Sequence, residues 1–255
     1  MSSRRADGPL ALTVLGCDGS YPGPGGACSG YLVTCATTTV WLDAGPGTLA
    51  ALQTHIDMRE LDAVVLTHEH ADHWSDLEHF AVACKWYLGR TGVPVHAPAD
   101  LIAAARRRLG EVDLDGARVL DWRPTTPDEQ LSIGAMTFTF SRTDHPVQTF
   151  AVRVDAHGRS LGYSADTGPR WPLSALGPDL DLAVVEATWL ADHERDGAPH
   201  LSARQAGATA RAAGAARLVL THVLPTVPRA AAEDEAEAAF GGPVEVAGCG
   251  ARYVV

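Results

Sequence analysis

Short apolar runs alternate along the first half of the chain with longer amphipathic stretches, which indicates strands that alternate with helices. The apolar runs predict strands at residues 10–16, 30–34, 38–42, 61–66 and 93–96. The amphipathic stretches predict helices at residues 47–55, 77–88 and 98–109. The run at 61–66 is apolar throughout, which is typical of a strand buried on both faces.

The second half begins with short segments that predict a meander of strands at residues 119–122, 131–133, 136–142, 150–154 and 160–164. Strands at 182–186 and 217–221 then alternate with helices at 202–213 and 229–240, before the final strands. No repeat, low-complexity segment or linker divides the chain. We therefore predict one domain over residues 1–255, with two β-rich halves, helices outside them, and a disordered tail at residues 1–8.

Composition and charge narrow the possible partners. Hydrophobic residues make up 46% of the 255 residues, which supports a sizeable core, and the formal net charge is −11. An acidic chain disfavours a broad nucleic-acid surface, because phosphate neutralisation supplies most non-specific affinity. The one basic cluster, residues 106–108, is predicted to be a solvated helix face. A small anionic substrate stays compatible, since bound metal ions would dominate the local field.

The five cysteines form no CxxC pair, so we predict small buried packing residues and no disulfide framework. No apolar run approaches the roughly 20 residues needed to span a bilayer. The N-terminus has no apolar segment typical of a secretory signal. These features predict a cytoplasmic location with no membrane partner.

The most specific chemical feature is the segment 67–73, Thr-His-Glu-His-Ala-Asp-His, directly after the apolar run at 61–66. Imidazole and carboxylate are ligands that zinc, manganese and iron accept. His68 and His70 are expected to project one way, and Asp72 and His73 another. Two adjacent metal ions, one served by each pair, are therefore the natural interpretation, and such sites usually hydrolyse phosphoesters, amides or related bonds.

The spacing His68-x-His70-x-Asp72-His73 resembles the signature of the metallo-β-lactamase-fold hydrolases. The resemblance runs nearly end to end, from the strand near Leu12 to the strand near Val254. It implies an α/β (α+β) fold, a four-layer αββα sandwich, with the metals at one edge between the two sheets.

The resemblance also implies a ligand set drawn from five segments that follow predicted strands. It assigns His68, His70 and His145 to the first ion, Asp72, His73 and His222 to the second, and Asp166 to a bridge between them. Asp43 would orient the metal-binding loop, and a hydroxide bridging the two metals would be the nucleophile. Zinc is the expected ion, and manganese or iron is also compatible.

Two further elements resemble the RNase Z branch of this family. Glu186-Ala187-Thr188 is similar to its Glu-Ala-Thr element, and His200-Leu201-Ser202 to its His-Ser-Thr element. There the Glu orients a His that protonates the leaving oxygen, so Asp72, Glu186 and His200 are the candidate catalytic residues. Alternatively, Glu186 caps a backbone group and His200 only precedes a helix.

The whole pattern is similar to actinobacterial cyclic-nucleotide phosphodiesterases of this fold, carried by residues 15–20, 27–32, 165–168 and 220–225. It implies a phosphodiesterase for a small diester such as a 3′,5′-cyclic nucleotide. A lactone or thioester hydrolase of a biosynthetic pathway, an RNase Z-like RNA nuclease and a non-catalytic sensor are the alternatives. The acidic balance disfavours the nuclease, and the complete ligand set disfavours the sensor.

Two expectations stay open at this level. Many proteins of this fold are dimers, so a homodimer is possible for this chain. Five aromatic residues could line the pocket or belong to the core, and the sequence does not distinguish these roles: Trp74, Trp86, Tyr87, Trp171 and Trp189.

Overall fold

The computed structural model describes residues 8–110 and 112–255. The predicted tail at residues 1–8 lies outside the described residues except for Gly8, whose carbonyl oxygen accepts a hydrogen bond from the N–H of Ala36. Within the described residues, no helix combines the length and the apolar character needed to cross a membrane.

Most strands of the described chain lie in two seven-stranded sheets, which have the same sequence of pairings. The first sheet contains β1 Ala11–Gly16, β2 Gly30–Cys35, β3 Thr38–Ala44, β4 Ala63–Val65, β5 Val93–Ala97, β8 Leu120–Pro124 and β16 Arg252–Val254. Its order is β16-β1-β2-β3-β4-β5-β8, antiparallel from β16 to β3 and parallel from β3 to β8.

The second sheet contains β9 Gln130–Ile133, β10 Met136–Arg142, β11 Phe150–Ala156, β12 Arg159–Tyr163, β13 Leu182–Glu186, β14 Leu218–Thr221 and β15 Val244–Val246. Its order is sequential from β9 to β15. The pairings are antiparallel from β9 to β12 and parallel from β12 to β15. Each sheet therefore joins an antiparallel meander to a parallel half, where strand ends collect at one edge.

The helices cover the outer faces of the sheets. They are α1 Thr48–Leu52, α2 Ala71–Trp74, α3 Asp76–Ala83, α4 Ala99–Leu109, α5 Ala203–Ala212 and α6 Arg229–Phe240. One apolar cluster fills the space between the sheets, where residues such as Val33 and Val152 meet. A second cluster packs the first helices on the first sheet, and a third packs α5 and α6 on the second sheet. These four layers confirm the predicted αββα sandwich.

Three local predictions were wrong in detail. The strand expected at 119–122 as part of the meander is β8, which pairs in parallel with β5 in the first sheet. The helix expected at 47–55 ends at Leu52, and the helix expected at 77–88 passes at Cys84 into a π-helical turn, Cys84–Leu88. Hydrophobic periodicity reports local burial and cannot choose a strand's distant partner. A small hairpin, β6 Asp113–Leu114 and β7 Ala117–Arg118, was not predicted, although Asp115-Gly116 between the strands is a typical two-residue hairpin turn, with φ of 50° and 81°.

The prediction of buried cysteines holds for four of the five. Cys249 is exposed, and every cysteine is a free thiol. The arginines at 106–108 are exposed on α4, as predicted.

Gly45 marks the point where the end of β3 meets the histidine-rich segment. A Cβ atom at this position would overlap the carbonyl oxygen of Asp72 and lie 2.8 Å from that of Ser29. Both neighbours are backbone atoms, which cannot rotate away. Glycine is thus required for close approach of two backbones.

We predict that Gly45→Ala lowers the free energy of unfolding by about 1–3 kcal/mol, because the added methyl group forces a backbone shift. Thermal unfolding should then show a Tm lower by several degrees. Gly248→Ala is the matched control, since nothing lies within 4 Å of a Cβ atom there. Equal melting temperatures for the two variants would contradict the close-packing argument.

Candidate metal centre

The predicted site residues lie just beyond the ends of strands, at one edge of the sandwich. His68 follows β4, His145 follows β10, Asp166 follows β12 and His222 follows β14. Asp43, Ala165 and His222 have φ of 56°, 50° and 55°. Left-handed backbone at non-glycine residues costs energy and concentrates at functional sites, so the surrounding fold holds these turns in place.

The local conformation of the segment 67–73 separates its side chains. His68 and His70 precede α2, whose N-cap is His70, while Asp72 and His73 lie within that short helix. This agrees with the expectation that the two pairs project differently. The structure then brings distant residues to each pair and forms two groups that could each hold a metal ion, and a third group that overlaps both, Asp166, His200 and His222.

The first group comprises His68, His70 and His145, with Asp166 beside them. His145 Nε2 lies 3.2 Å from His70 Nδ1, so two ring nitrogens face a common point. His145 Nδ1 lies 3.0 Å from the carbonyl oxygen of Pro199. Because a carbonyl only accepts, Nδ1 carries the proton and Nε2 keeps its lone pair for a ligand.

The second group comprises Asp72, His73 and His222. Asp72 Oδ2 lies 3.2 Å from His222 Nε2 and 3.7 Å from His73 Nε2. The backbone N–H of Ser20, in the glycine-rich loop of residues 17–29 between β1 and β2, donates to the same Asp72 oxygen at 3.0 Å. That loop therefore approaches the second group through its backbone.

Asp166 lies between the two groups and divides its oxygens between them. Oδ2 lies 3.4 Å from His68 Nε2 and 4.0 Å from His145 Nε2. Oδ1 lies 3.2 Å from His73 Nε2 and 3.5 Å from His222 Nε2. The side chain is 2% exposed. This arrangement suits a carboxylate that bridges two cations.

Unsatisfied atoms at the centre test whether a cation fits. His68 Nε2, His73 Nε2 and Asp166 Oδ1 are buried without a hydrogen bond, although their distances to one another are short. Buried polar atoms normally have partners, so three exceptions that converge on one volume call for a common explanation. Imidazole nitrogens and carboxylate oxygens around that volume fit a divalent cation.

Burial and charge set the protonation of the cluster. Burial lowers the pKa of His68 to about 4 and that of His145 to about 3, so both rings are neutral and ready to bind a metal. Burial alone would lower the pKa of His73, but Asp166, Asp72 and Asp43 raise it well above its usual value. Without metal, His73 therefore supplies positive charge to the surrounding carboxylates.

Asp43 organises the segment 67–73 from beneath. Its Oδ1 accepts from the N–H of Thr67 at 2.9 Å, and its Oδ2 accepts from the Thr67 hydroxyl at 2.9 Å and the Tyr163 hydroxyl at 3.0 Å. His73 Nδ1 lies 2.8 Å from the same Oδ2. The buried carboxylate thus fixes both the loop backbone and one ring of the second group.

Glu186 organises the opposite side in a similar way. It is fully buried, and its carboxylate accepts from the N–H groups of Thr167 at 2.8 Å and Leu201 at 3.2 Å. His200 Nδ1 lies 3.0 Å from Glu186 Oε1. The capping alternative is observed, because Glu186 accepts backbone N–H groups and Ser202 is the N-cap of α5, with a capping box to Gln205. The catalytic role of the pair stays a prediction.

His200 lies beside both groups. Its ring is stacked on His222 with centroids 5.3 Å apart and lies 5.1 Å from the ring of His145. Burial would lower the pKa of His200, but the charge and hydrogen bond of Glu186 raise it to about 9. Without bound metal, the ring is therefore cationic at neutral pH.

The structure shows which of the five aromatic residues lie beside the site, which are buried and which are exposed, a distinction that the sequence could not make. Trp189 packs edge-on against His200 at 5.6 Å, and Arg195 lies over its indole at 5.1 Å. Trp74 and Trp171 are buried, whereas Trp86 and Tyr87 are exposed. The hydroxyls of Thr67 and Thr188 were not predicted to belong to the site, although these residues lie within two positions of His68 and Glu186 in the sequence.

The chain is similar over most of its length to several known proteins. Residues 38–223 match the Beta-lactamase superfamily domain. The chain is 36% identical over 254 residues to the uncharacterised protein Rv1339 of Mycobacterium tuberculosis, covering 96% of this chain and 92% of that protein. It is 29% identical over 245 residues to Ribonuclease Z of Mycobacterium avium, covering 86% and 87% respectively.

A solved relative covers almost the whole fold. "Probable metallo-hydrolase YhfI" of Bacillus subtilis is 30% identical over 251 residues, covering 94% of this chain and 98% of that protein. Its crystal structure, described as a metallo-beta-lactamase fold protein, gives a TM-score of 0.87 at 29% identity and covers 97% of this chain and 99% of that chain.

We predict that His145→Ala lowers the metal content by about one ion per chain and reduces the rise in Tm on adding zinc, because a ligand of the first group is lost. Elemental analysis after gel filtration and thermal unfolding with and without zinc measure the two effects. His79→Ala, which removes an exposed histidine on α3, is the control. If His145→Ala retained the metal content of the control, His145 would not be a ligand.

Proposed function

We propose that this chain, which belongs to the beta-lactamase superfamily and to the RNase Z-like branch of the metallo-β-lactamase fold, is a dinuclear metal-dependent phosphodiesterase. Its proposed substrate is a small diester such as a 3′,5′-cyclic nucleotide. The observation that carries the proposal is Asp166, whose two oxygens face two separate donor groups. His200, a protonated ring fixed by Glu186, lies beside both groups. Such a combination suits attack on a phosphorus centre followed by protonation of the leaving oxygen.

The proposed ligands are His68, His70 and His145 for one ion, Asp72, His73 and His222 for the other, and Asp166 for both. Divalent ions bound there would polarise the phosphoryl oxygens and provide an activated water nucleophile at neutral pH. Zinc is the proposed ion, and manganese or iron also suits this mixture of imidazole and carboxylate.

His200 is proposed to protonate the departing ribose oxygen. Its Nδ1 is engaged by Glu186, which leaves Nε2 as the nitrogen for proton transfer. An alkoxide is a poor leaving group, so proton donation lowers the barrier for a ribose diester. The same donor adds little when the leaving group is already stable as an anion. This difference separates diesters with alkoxide leaving groups from activated esters.

A small substrate is favoured over RNA. The ribonuclease Z relative makes RNA cleavage the second candidate. RNase Z enzymes place a long basic arm between the positions of His145 and Asp166, whereas here most of that interval is β11 and β12. The net charge of −11 also opposes a broad nucleic-acid surface. A cytoplasmic location, a homodimer and a single domain stay predictions from the sequence.

The deciding experiment is product analysis with 3′,5′-cyclic AMP. We expect metal-loaded protein to form 5′-AMP, because protonation by His200 would release the 3′-oxygen, and His70→Ala to form none for lack of bound metal. Chromatography with authentic 3′-AMP and 5′-AMP identifies the bond cleaved. Failure to convert cyclic AMP with the metals bound would refute this substrate and favour lactones, thioesters or other diesters. Processing of a tRNA precursor in the same assay would favour the nuclease.

We further predict that His200→Ala lowers kcat for cyclic AMP by about 10²–10⁴-fold while the metal content is unchanged. For bis(p-nitrophenyl) phosphate, whose leaving group needs no proton, the loss should be much smaller. Steady-state kinetics on both substrates, with elemental analysis of the same samples, measures this. Wild-type turnover of cyclic AMP by His200→Ala would remove the general-acid role.

A further inference from the structure

Thr188 connects the carboxylate that holds His200 to a ring of the second group. Its hydroxyl oxygen lies 2.8 Å from Glu186 Oε2 and 3.0 Å from His222 Nδ1. The residue is 2% exposed, so water does not compete freely for these contacts.

The direction of these hydrogen bonds follows from counting protons. A threonine hydroxyl carries one proton, and an ionised carboxylate can only accept. The Thr188 hydroxyl therefore donates to Glu186 and has only lone pairs left for His222. His222 Nδ1 must then be the donor, and in the neutral ring that a metal ligand requires the lone pair is on Nε2.

That lone pair is at the atom that faces the centre. His222 Nε2 lies 3.2 Å from Asp72 Oδ2 and 3.5 Å from Asp166 Oδ1. The opposite tautomer would place a proton at the same atom and prevent it from binding a cation. The hydroxyl thus selects the tautomer that a metal ligand needs.

We propose that Thr188 is a positioning residue that fixes the tautomer of His222 and so sets the affinity of the second group for its ion, with Glu186 serving both the proton donor and a metal ligand. The inference rests on the proposed dinuclear centre, but not on any particular substrate.

The same arrangement recurs at the first group. The hydroxyl of Thr67 lies 2.9 Å from Asp43 Oδ2 and 3.0 Å from His68 Nδ1. By the same count of protons, His68 Nδ1 donates and its Nε2 lone pair faces the centre. Asp43 also contacts the ring of His73 directly, as Glu186 contacts the ring of His200. Each buried carboxylate therefore orients one ring directly and a second through a threonine hydroxyl.

Because Glu186 contacts both Thr188 and His200, loss of the Thr188 hydroxyl could affect the proposed proton donor as well as the metal ligand. Glu186 Oε2 accepts from the hydroxyl of Thr188 and the N–H of Leu201, while Oε1 accepts from the N–H of Thr167 and faces His200. Loss of the Thr188 hydroxyl leaves His222 Nδ1 without its partner and weakens the bonding of Oε2. The metal ligand is therefore disturbed first, while the Glu186–His200 contact is retained.

The test compares Thr188→Val, Thr188→Ser and Thr67→Val with the wild-type chain. Zinc is equilibrated at graded free concentrations, bound zinc per chain is measured, and long-range ¹H–¹⁵N spectra of the zinc-loaded proteins report which ring nitrogens carry protons. Valine keeps the shape of the side chain and removes the hydroxyl, whereas serine keeps the hydroxyl. Thermal unfolding of each metal-free variant checks that it is folded.

We expect Thr188→Val to bind the second ion about 10–100-fold more weakly and to change the ring signals of His222. Thr188→Ser should behave like the wild type. Thr67→Val should show an equivalent loss at the first group, with the change at His68 instead. In the wild type, Nδ1 of His222 should carry the proton and Nε2 should be bound to zinc.

Several results would overturn the inference. These are wild-type zinc affinity in Thr188→Val, a loss in Thr188→Ser equal to that in Thr188→Val, or a proton on Nε2 of His222 in the wild type. If the wild type bound a single ion, the dinuclear proposal would fail, and the ring spectrum of His222 would still decide the role of Thr188. Because no step measures turnover, an error in the proposed substrate cannot produce any of these outcomes.

Discussion

Two buried carboxylates, Asp43 and Glu186, hold the whole centre in place. Each accepts backbone N–H and hydroxyl hydrogen bonds from separate segments, and each is within hydrogen-bond distance of an imidazole Nδ1. A buried carboxylate is costly unless its oxygens are satisfied, so any segment that moved away would leave unpaired charge. This free-energy penalty keeps the ends of β3, β12 and β13 close to the histidines that follow neighbouring strands.

Unlike the oxygens of these two carboxylates, several atoms that face the centre have no hydrogen-bond partner. His68 Nε2, His73 Nε2 and Asp166 Oδ1 have no hydrogen bond, while the nitrogens on the far side of the same rings contact Asp43 or the Thr67 hydroxyl. Left-handed backbone at Ala165 and His222 adds local strain at the same edge. The fold thus concentrates unfavourable terms where a cation would relieve them, and metal binding and stability are expected to be linked.

Without bound metal, burial and the nearest carboxylates set the charge of each imidazole at the centre. His73 is held protonated by three carboxylates, whereas burial keeps His68 and His145 neutral. His200 is different again, because Glu186 outweighs its burial. The same kind of side chain is therefore neutral at some positions and protonated at others, according to its burial and to the carboxylates that contact it.

The sequence alone determined the residue types of the centre and most of the strands around it, because ligand spacing and hydrophobic periodicity are local properties. His68, His70, Asp72 and His73 lie within six residues, and the apolar run before them predicted their strand.

Only the tertiary structure decided that β8 joins the first sheet, that Asp166 divides its oxygens between two groups, and that Trp189 borders the centre. The roles of Thr67 and Thr188 also depended on it, since a hydroxyl becomes an orienting group only when a buried carboxylate and an imidazole lie on either side of it. Such contacts join residues far apart in the chain, and no local pattern records which distant atoms a side chain will meet.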